Sequence, residues 1–137
     1  MEVLIIEPGK TPRQADIKND LKTLQEIVGG YIEVVYPFEN SICLICNEEG
    51  KLIGLPLNRN LEDFDIIAGT FVIVGLSEDN FCSLTPEQAE KYHQKFEKPE
   101  TFLRLGRSFV SIPIKPREEI HLPDIKHELG KSTDRER

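Results

Sequence analysis

Asp65-Ile66-Ile67-Ala68-Gly69-Thr70-Phe71-Val72-Ile73-Val74-Gly75-Leu76 is the strongest strand signal in the chain. Its β-branched and aromatic residues read as a strand, and Gly69 within it marks a bulge or a close backbone approach. Upstream, Ser41–Cys46 and Lys51–Leu57 flank Asn47-Glu48-Glu49-Gly50, two apolar runs about a polar turn, which reads as a hairpin. Pro56 places the end of its second strand at a sheet edge, and Asn58–Asp65 follows as a polar loop. Tyr31–Phe38 is a further strand. Val3-Leu4-Ile5-Ile6, stopped by Pro8-Gly9, opens the chain as a buried strand, with Gln14–Ile17 as its return.

Two helices complete the pattern. The first is capped by Asn19, carries Leu21, Leu24, Ile27 and Val28 on one face, and stops at Gly29-Gly30. The second starts at Thr85, with Pro86 at its first position and Gln88 completing a capping box. Ala89, Tyr92, His93 and Phe96 share a face, and Pro99 stops it. Phe102, Leu105, Phe109 and Val110 suggest a last element packing back on the domain. The order β-(β)-α-β-β-β-β-α-β, joined by tight turns, gives an α+β fold: a mainly antiparallel sheet of five to seven strands with two helices. The expected core includes Leu4, Ile6, Leu24, Ile27, Val34, Leu44, Ile67, Phe71, Ile73 and Phe96.

The 137 residues carry 17 Lys+Arg against 24 Asp+Glu, a net charge of −7. That length suits one domain, assigned to residues 1–112, with a charged tail over 113–137. Lys115–Arg137 holds 12 charged residues in 23, six of each sign, so the −7 belongs to residues 1–114. Such a stretch reads as a mobile or loosely docked tail. No run approaches the length of a membrane span, and no signal peptide is visible at the start. An acidic chain is a poor direct binder of nucleic acid. Cys43, Cys46 and Cys82, an odd number embedded in apolar sequence, read as buried thiols of a cytoplasmic protein.

Chemistry-bearing constellations are sparse. Cys43, Cys46, Cys82 and His93 are residue types that zinc uses, but positions three apart in a strand face opposite ways, and only one close pair exists. No metal and no cofactor is expected. His93 reads as a core or boundary residue, and His121 and His127 fall in the tail, so no Cys–His or Ser–His dyad is supported and no catalytic residue is assigned. The stretch Asn58-Arg59-Asn60 sets a lone cation between two amides after the edge strand. Arg and Asn suit planar polar groups and phosphates. The competing reading is an ordinary turn whose amides bond the local backbone. A ligand-binding set of Arg59, Asn58, Asn60 and Lys51, with Tyr31 and Tyr36 as stacking faces, is the expectation.

Ile27-Val28-Gly29-Gly30-Tyr31-Ile32-Glu33-Val34-Val35, Cys46-Asn47-Glu48-Glu49-Gly50-Lys51-Leu52, Gly54-Leu55-Pro56-Leu57-Asn58-Arg59, Asp65-Ile66-Ile67-Ala68-Gly69-Thr70-Phe71 and Phe81-Cys82-Ser83-Leu84 together resemble the bacterial, phage and plasmid proteins of domain-of-unknown-function family 3846. The resemblance spans about residues 2–104. It implies a small cytosolic protein of a phage or mobile element and no catalytic residues. By analogy with small phage accessory proteins, the expected function is counter-defence: a non-catalytic, homo-oligomeric protein that sequesters a small nucleotide immune signal, such as a cyclic ADP-ribose of the Thoeris pathway. The alternative is an acidic, protein-binding inhibitor of a host defence complex that imitates DNA. A hydrolase that destroys the signal ranks third.

Overall fold

The structure, a computed structural model, describes residues 1–39, 41–61, 65–106 and 108–114. All but the first two residues of the expected tail lie outside this range. The elements run β1 (Glu2–Ile6), β2 (Arg13–Asp16), α1 (Leu21–Val28), β3 (Ile32–Val35), β4 (Ile42–Asn47), β5 (Leu57–Asn60), β6 (Ile66–Ala68), β7 (Phe71–Ser77), β8 (Asn80–Cys82), α2 (Pro86–Lys95), β9 (Glu100–Leu105) and β10 (Ser108–Pro113). This is the expected α+β fold. The strands pair antiparallel throughout, and six of them form the main sheet in the order β2-β1-β7-β4-β3, with β8 also on β7. Two separate ribbons, β5–β6 and β9–β10, lie outside it.

Both faces of the main sheet are covered, which is why its central strands are unbroken apolar runs. Leu4, Ile6, Leu44, Phe71 and Ile73 point to the side closed by α2 and β5–β6, packing on Tyr92, Phe96 and Ile67. Val3, Ile5, Cys43, Ile45, Val72 and Val74 point to the side closed by α1 through Leu24 and Val28. Of the expected core, Ile27 and Val34 are only partly buried. The ends of α2 follow the sequence signal: Thr85 and Gln88 form a reciprocal capping box with Pro86 in the first turn. α1 ends at Gly29, in the left-handed conformation. Its N-cap is Asp20, whose carboxylate accepts from the Thr23 N–H at 2.8 Å. Asn19, expected there, instead donates to the Phe81 carbonyl.

Four expectations are corrected. Lys51–Leu57 forms no strand beside β4, whose partners are β3 and β7; residues 51–54 are turn, and the strand begins at Leu57. Asn58 to Asn60 therefore lies in β5 rather than in a loop. The long run from Asp65 is two strands in different sheets, divided at Gly69. That residue has φ +85°, and its N–H donates to the Pro56 carbonyl at 2.7 Å. A Cβ there would stand 2.7 Å from the Leu55 side chain, so glycine permits both the turn and the approach. The last element packs back only in part: its ribbon adjoins β5 and Phe102 is half-buried, but Leu105, Phe109 and Val110 are exposed, as is Leu103.

Among the described residues, no helix is long and apolar enough to cross a membrane.

Candidate functional site

Arg59 is fully buried, at 0% exposure. Its Nε and Nη2 both donate to the carbonyl of Phe96, at 3.3 and 2.8 Å, and Nη2 also reaches the Lys10 carbonyl at 2.6 Å. Nη1 donates to the Asn58 side-chain oxygen at 2.8 Å. The Phe96 carbonyl stands at the C-terminal end of α2, where unpaired carbonyls and the helix dipole favour a cation. Asn58 is equally buried, and its amide nitrogen donates to the carbonyls of Ile6 and Gly69 at 2.9 and 2.8 Å. These two side chains tie β5 to α2, to the turn after β1, and to β1 itself. Arg59 and Asn58, expected in a ligand-binding set, are both buried, and both donate to backbone carbonyls inside the domain.

The other expected site residues are dispersed. Asn60 is exposed, and its backbone N–H donates to Glu100 Oε1. Tyr31 and Tyr36 are exposed, one before and one after β3. The four residues of β3 between them set their backbones about 16 Å apart, too far to clasp one base. Lys51 pairs with Asp65. It holds that carboxyl below the usual range, chiefly by its hydrogen bond to it.

Lys51 and Asp65 belong instead to a groove of about 290 Å³ between β3–β4, the turn after β4, and β6. Asn47 shapes it. This buried side chain donates to the Val28 carbonyl at 3.1 Å and accepts from the Glu49 N–H at 2.7 Å, so the turn is held against the end of α1. Gly50 lies against β6, where a Cβ would meet the Ala68 carbonyl oxygen at 2.7 Å. Glu33, Glu48, Glu49 and Asp65 line the groove with Lys51 as the single cation among its described residues. Cys46 lies at its floor, in register with Glu33. Burial, reinforced by the Glu33 charge, pushes its thiol up to about 11. Cys43 is likewise pushed up to about 11 by burial and by Cys82. A thiol so raised holds little thiolate, the reactive form, at neutral pH. Beside the groove, Leu52 is 85% and Ile53 56% exposed.

Among the described residues no three His, Cys, Asp or Glu side chains are placed to hold one metal ion. His93 is partly buried on α2, in an open groove with Gln14, Glu90 and Glu97.

Sequence reading passed over the acidic groove because its members come from four separate segments and each acid alone reads as turn content. The signal available for Arg59 was the spacing Arg59-x-Leu61, which sets the arginine on the side of an apolar residue; the bulge between Leu57 and Arg59 breaks the alternation before it.

Residues 1–97 match the family described as Domain of unknown function (DUF3846), and the chain belongs to that family. No curated protein and no solved structure matches it.

Proposed function

We propose that this protein acts by binding and not by catalysis, as an acidic, protein-binding inhibitor of a host defence complex, in the mobile-element setting that the sequence resemblance implies. The observation that carries the reading is the groove lined by four carboxylates and one lysine, the lysine already engaged by Asp65. Its field attracts cations and repels phosphates. Arg- or Lys-rich surfaces that normally hold DNA are its natural occupants. The exposed Leu52 of its lining, followed in the chain by exposed Ile53, supplies the apolar anchors that a protein interface uses.

The test is inhibition of purified restriction or nuclease complexes. Inhibition is expected to weaken steeply as salt rises, and to be lost in the Glu33→Gln/Glu48→Gln/Glu49→Gln triple variant while the fold persists. Inhibition untouched by that variant would remove the groove from the interface.

Sequestration of an ADP-ribose-derived signal is the second reading, favoured by the small volume of the groove and by the exposed Tyr31. It requires a cation for the phosphates, and Lys51 supplies one only by giving up Asp65. Mass spectrometry of small molecules released on denaturing the purified protein decides it. A recovered nucleotide, returned intact, would replace the first reading.

A further inference from the structure

The β9–β10 ribbon begins just beyond the family match, which ends at residue 97. Its six cross-strand pairs run in unbroken register from Glu100↔Pro113 to Leu105↔Ser108. On the β9 side the ribbon adjoins β5, where the Asn60 N–H meets Glu100 Oε1 at 2.9 Å. On the other side, β10 has no strand partner among the described residues. That outer edge offers backbone N–H and C=O groups, and Phe109, Val110 and Ile112 beside it are 48%, 41% and 39% exposed. Proteins ordinarily blunt such an edge with lysine, proline or a bulge, because it templates pairing with another strand. Residues 108–112, Ser-Phe-Val-Ser-Ile, contain neither charge nor proline, and the register holds no bulge.

We propose that the outer edge of β10 pairs antiparallel with β10 of a second copy of this chain across a two-fold axis, joining two ribbons into one four-stranded sheet.

Charge selects the second copy. Each chain carries −7, so two copies repel over most of their surface. They meet without Coulomb cost only where charged side chains are absent. β10 is such a place, and so is the ribbon face that bears Thr101, Leu103, Leu105, Val110 and Ile112. Edge pairing sets the two apolar rows side by side as one stripe. The opposite face carries Glu100 and Arg104, one charge of each sign.

Closure selects it as well. Antiparallel pairing of one strand with its own copy uses the same surface twice. A contact that uses one surface twice closes at two chains; β9 also lacks a second strand partner among the described residues, but its side of the ribbon lies against β5. Strand addition of this kind takes its affinity from main-chain hydrogen bonds. One six-residue strand falls short of a standard interface of about 1,600 Å², so the dimer forms and dissociates with concentration.

Sedimentation equilibrium of the full chain tests this. The average mass is expected to rise from 15.7 kDa toward twice that value as concentration increases. Val110→Lys is expected to weaken association at least tenfold, with an unchanged circular dichroism spectrum. Leu21→Gln, at an exposed residue of α1, is expected to leave association unaltered. Hydrogen exchange on the unmodified protein gives a second reading that needs no variant: the amides of residues 108–112 should gain protection as concentration rises. A chain that stays single across the range overturns the proposal, as does a dimer whose β10 amides gain no protection. A folded Val110→Lys variant that associates like the parent also overturns it.

Discussion

Strand β5 and the β9–β10 ribbon adjoin each other and treat polarity in opposite ways. β5 holds Asn58 and Arg59, which are fully buried, whereas the ribbon holds Leu103, Leu105, Phe109 and Val110, all of them exposed. Hydropathy alone would exchange the two. The difference lies in what each segment completes. Asn58 and Arg59 supply donors to the carbonyls of Ile6, Gly69, Phe96 and Lys10, groups that are costly to bury unpaired. The ribbon stands beyond both covered faces of the main sheet, and among the described residues no layer is stacked on its apolar row. A polar side chain goes inside when it closes a hydrogen-bond account, and an apolar one stays outside when nothing is stacked on it.

The largest expected effect that tests this contrast is at Arg59. Arg59→Ala strands the carbonyls of Phe96 and Lys10 and opens a cavity, so a loss of about 4 kcal/mol is expected. That corresponds to a melting midpoint lowered by roughly 10–15 °C, and urea unfolding measures it. Arg59→Lys, which keeps the charge but not the planar fork, should recover less than half of the loss. A loss below about 1 kcal/mol would mean that water replaces the guanidinium, and that this pocket is open after all.

Next is Asn58→Ala, which removes two buried donors and is expected to cost about 2 kcal/mol. Combining it with Arg59→Ala sharpens the comparison. The two side chains bond one another, so the double variant should lose less than the sum of the single losses.

On the ribbon, Leu105→Ser should change stability by no more than about 0.5 kcal/mol at low protein concentration, because the residue is 61% exposed. A loss above about 1.5 kcal/mol would show that this row is covered within the single chain.

The smallest effect concerns the groove. Lys51 lowers the Asp65 pKa, so the pair's contribution is present above the ordinary carboxylate range and fades as pH falls through the lowered folded value. Both side chains are largely exposed, so Lys51→Met should cost only about 0.3–0.5 kcal/mol at pH 7. The difference should vanish once the pH falls below the lowered folded value, where Asp65 is protonated in both proteins. Unfolding curves across that range measure it. A gap that persists in acid would trace the loss to packing of the lysine stem.

Period and punctuation carried most of the fold. The runs of β1 and β7, the capping box at Thr85 and the stop at Gly29 act within a few residues, and each element stands where those signals place it. The turn at Asn47–Gly50 misled for a physical reason. Its hairpin reading assumed that the next apolar run returns beside β4, but β7 and β3 already occupy both edges of that strand. Residues 51–55 then turn away, and Leu57 starts a separate ribbon. The groove was illegible because Glu33, Glu48, Glu49, Lys51 and Asp65 converge from separate segments.

By itself the sequence determined the α+β class, the two helices with their caps, the buried character of β1, β4 and β7, and the family. These rest on local propensity and on periodicity that a few residues express. Only the tertiary structure decided that Arg59 is an internal clamp, that the acids gather in one groove, and that the last two strands present an apolar edge. Each depends on which carbonyls, charges or layers lie opposite a side chain, and neighbours in space are set by strand order rather than by distance along the chain.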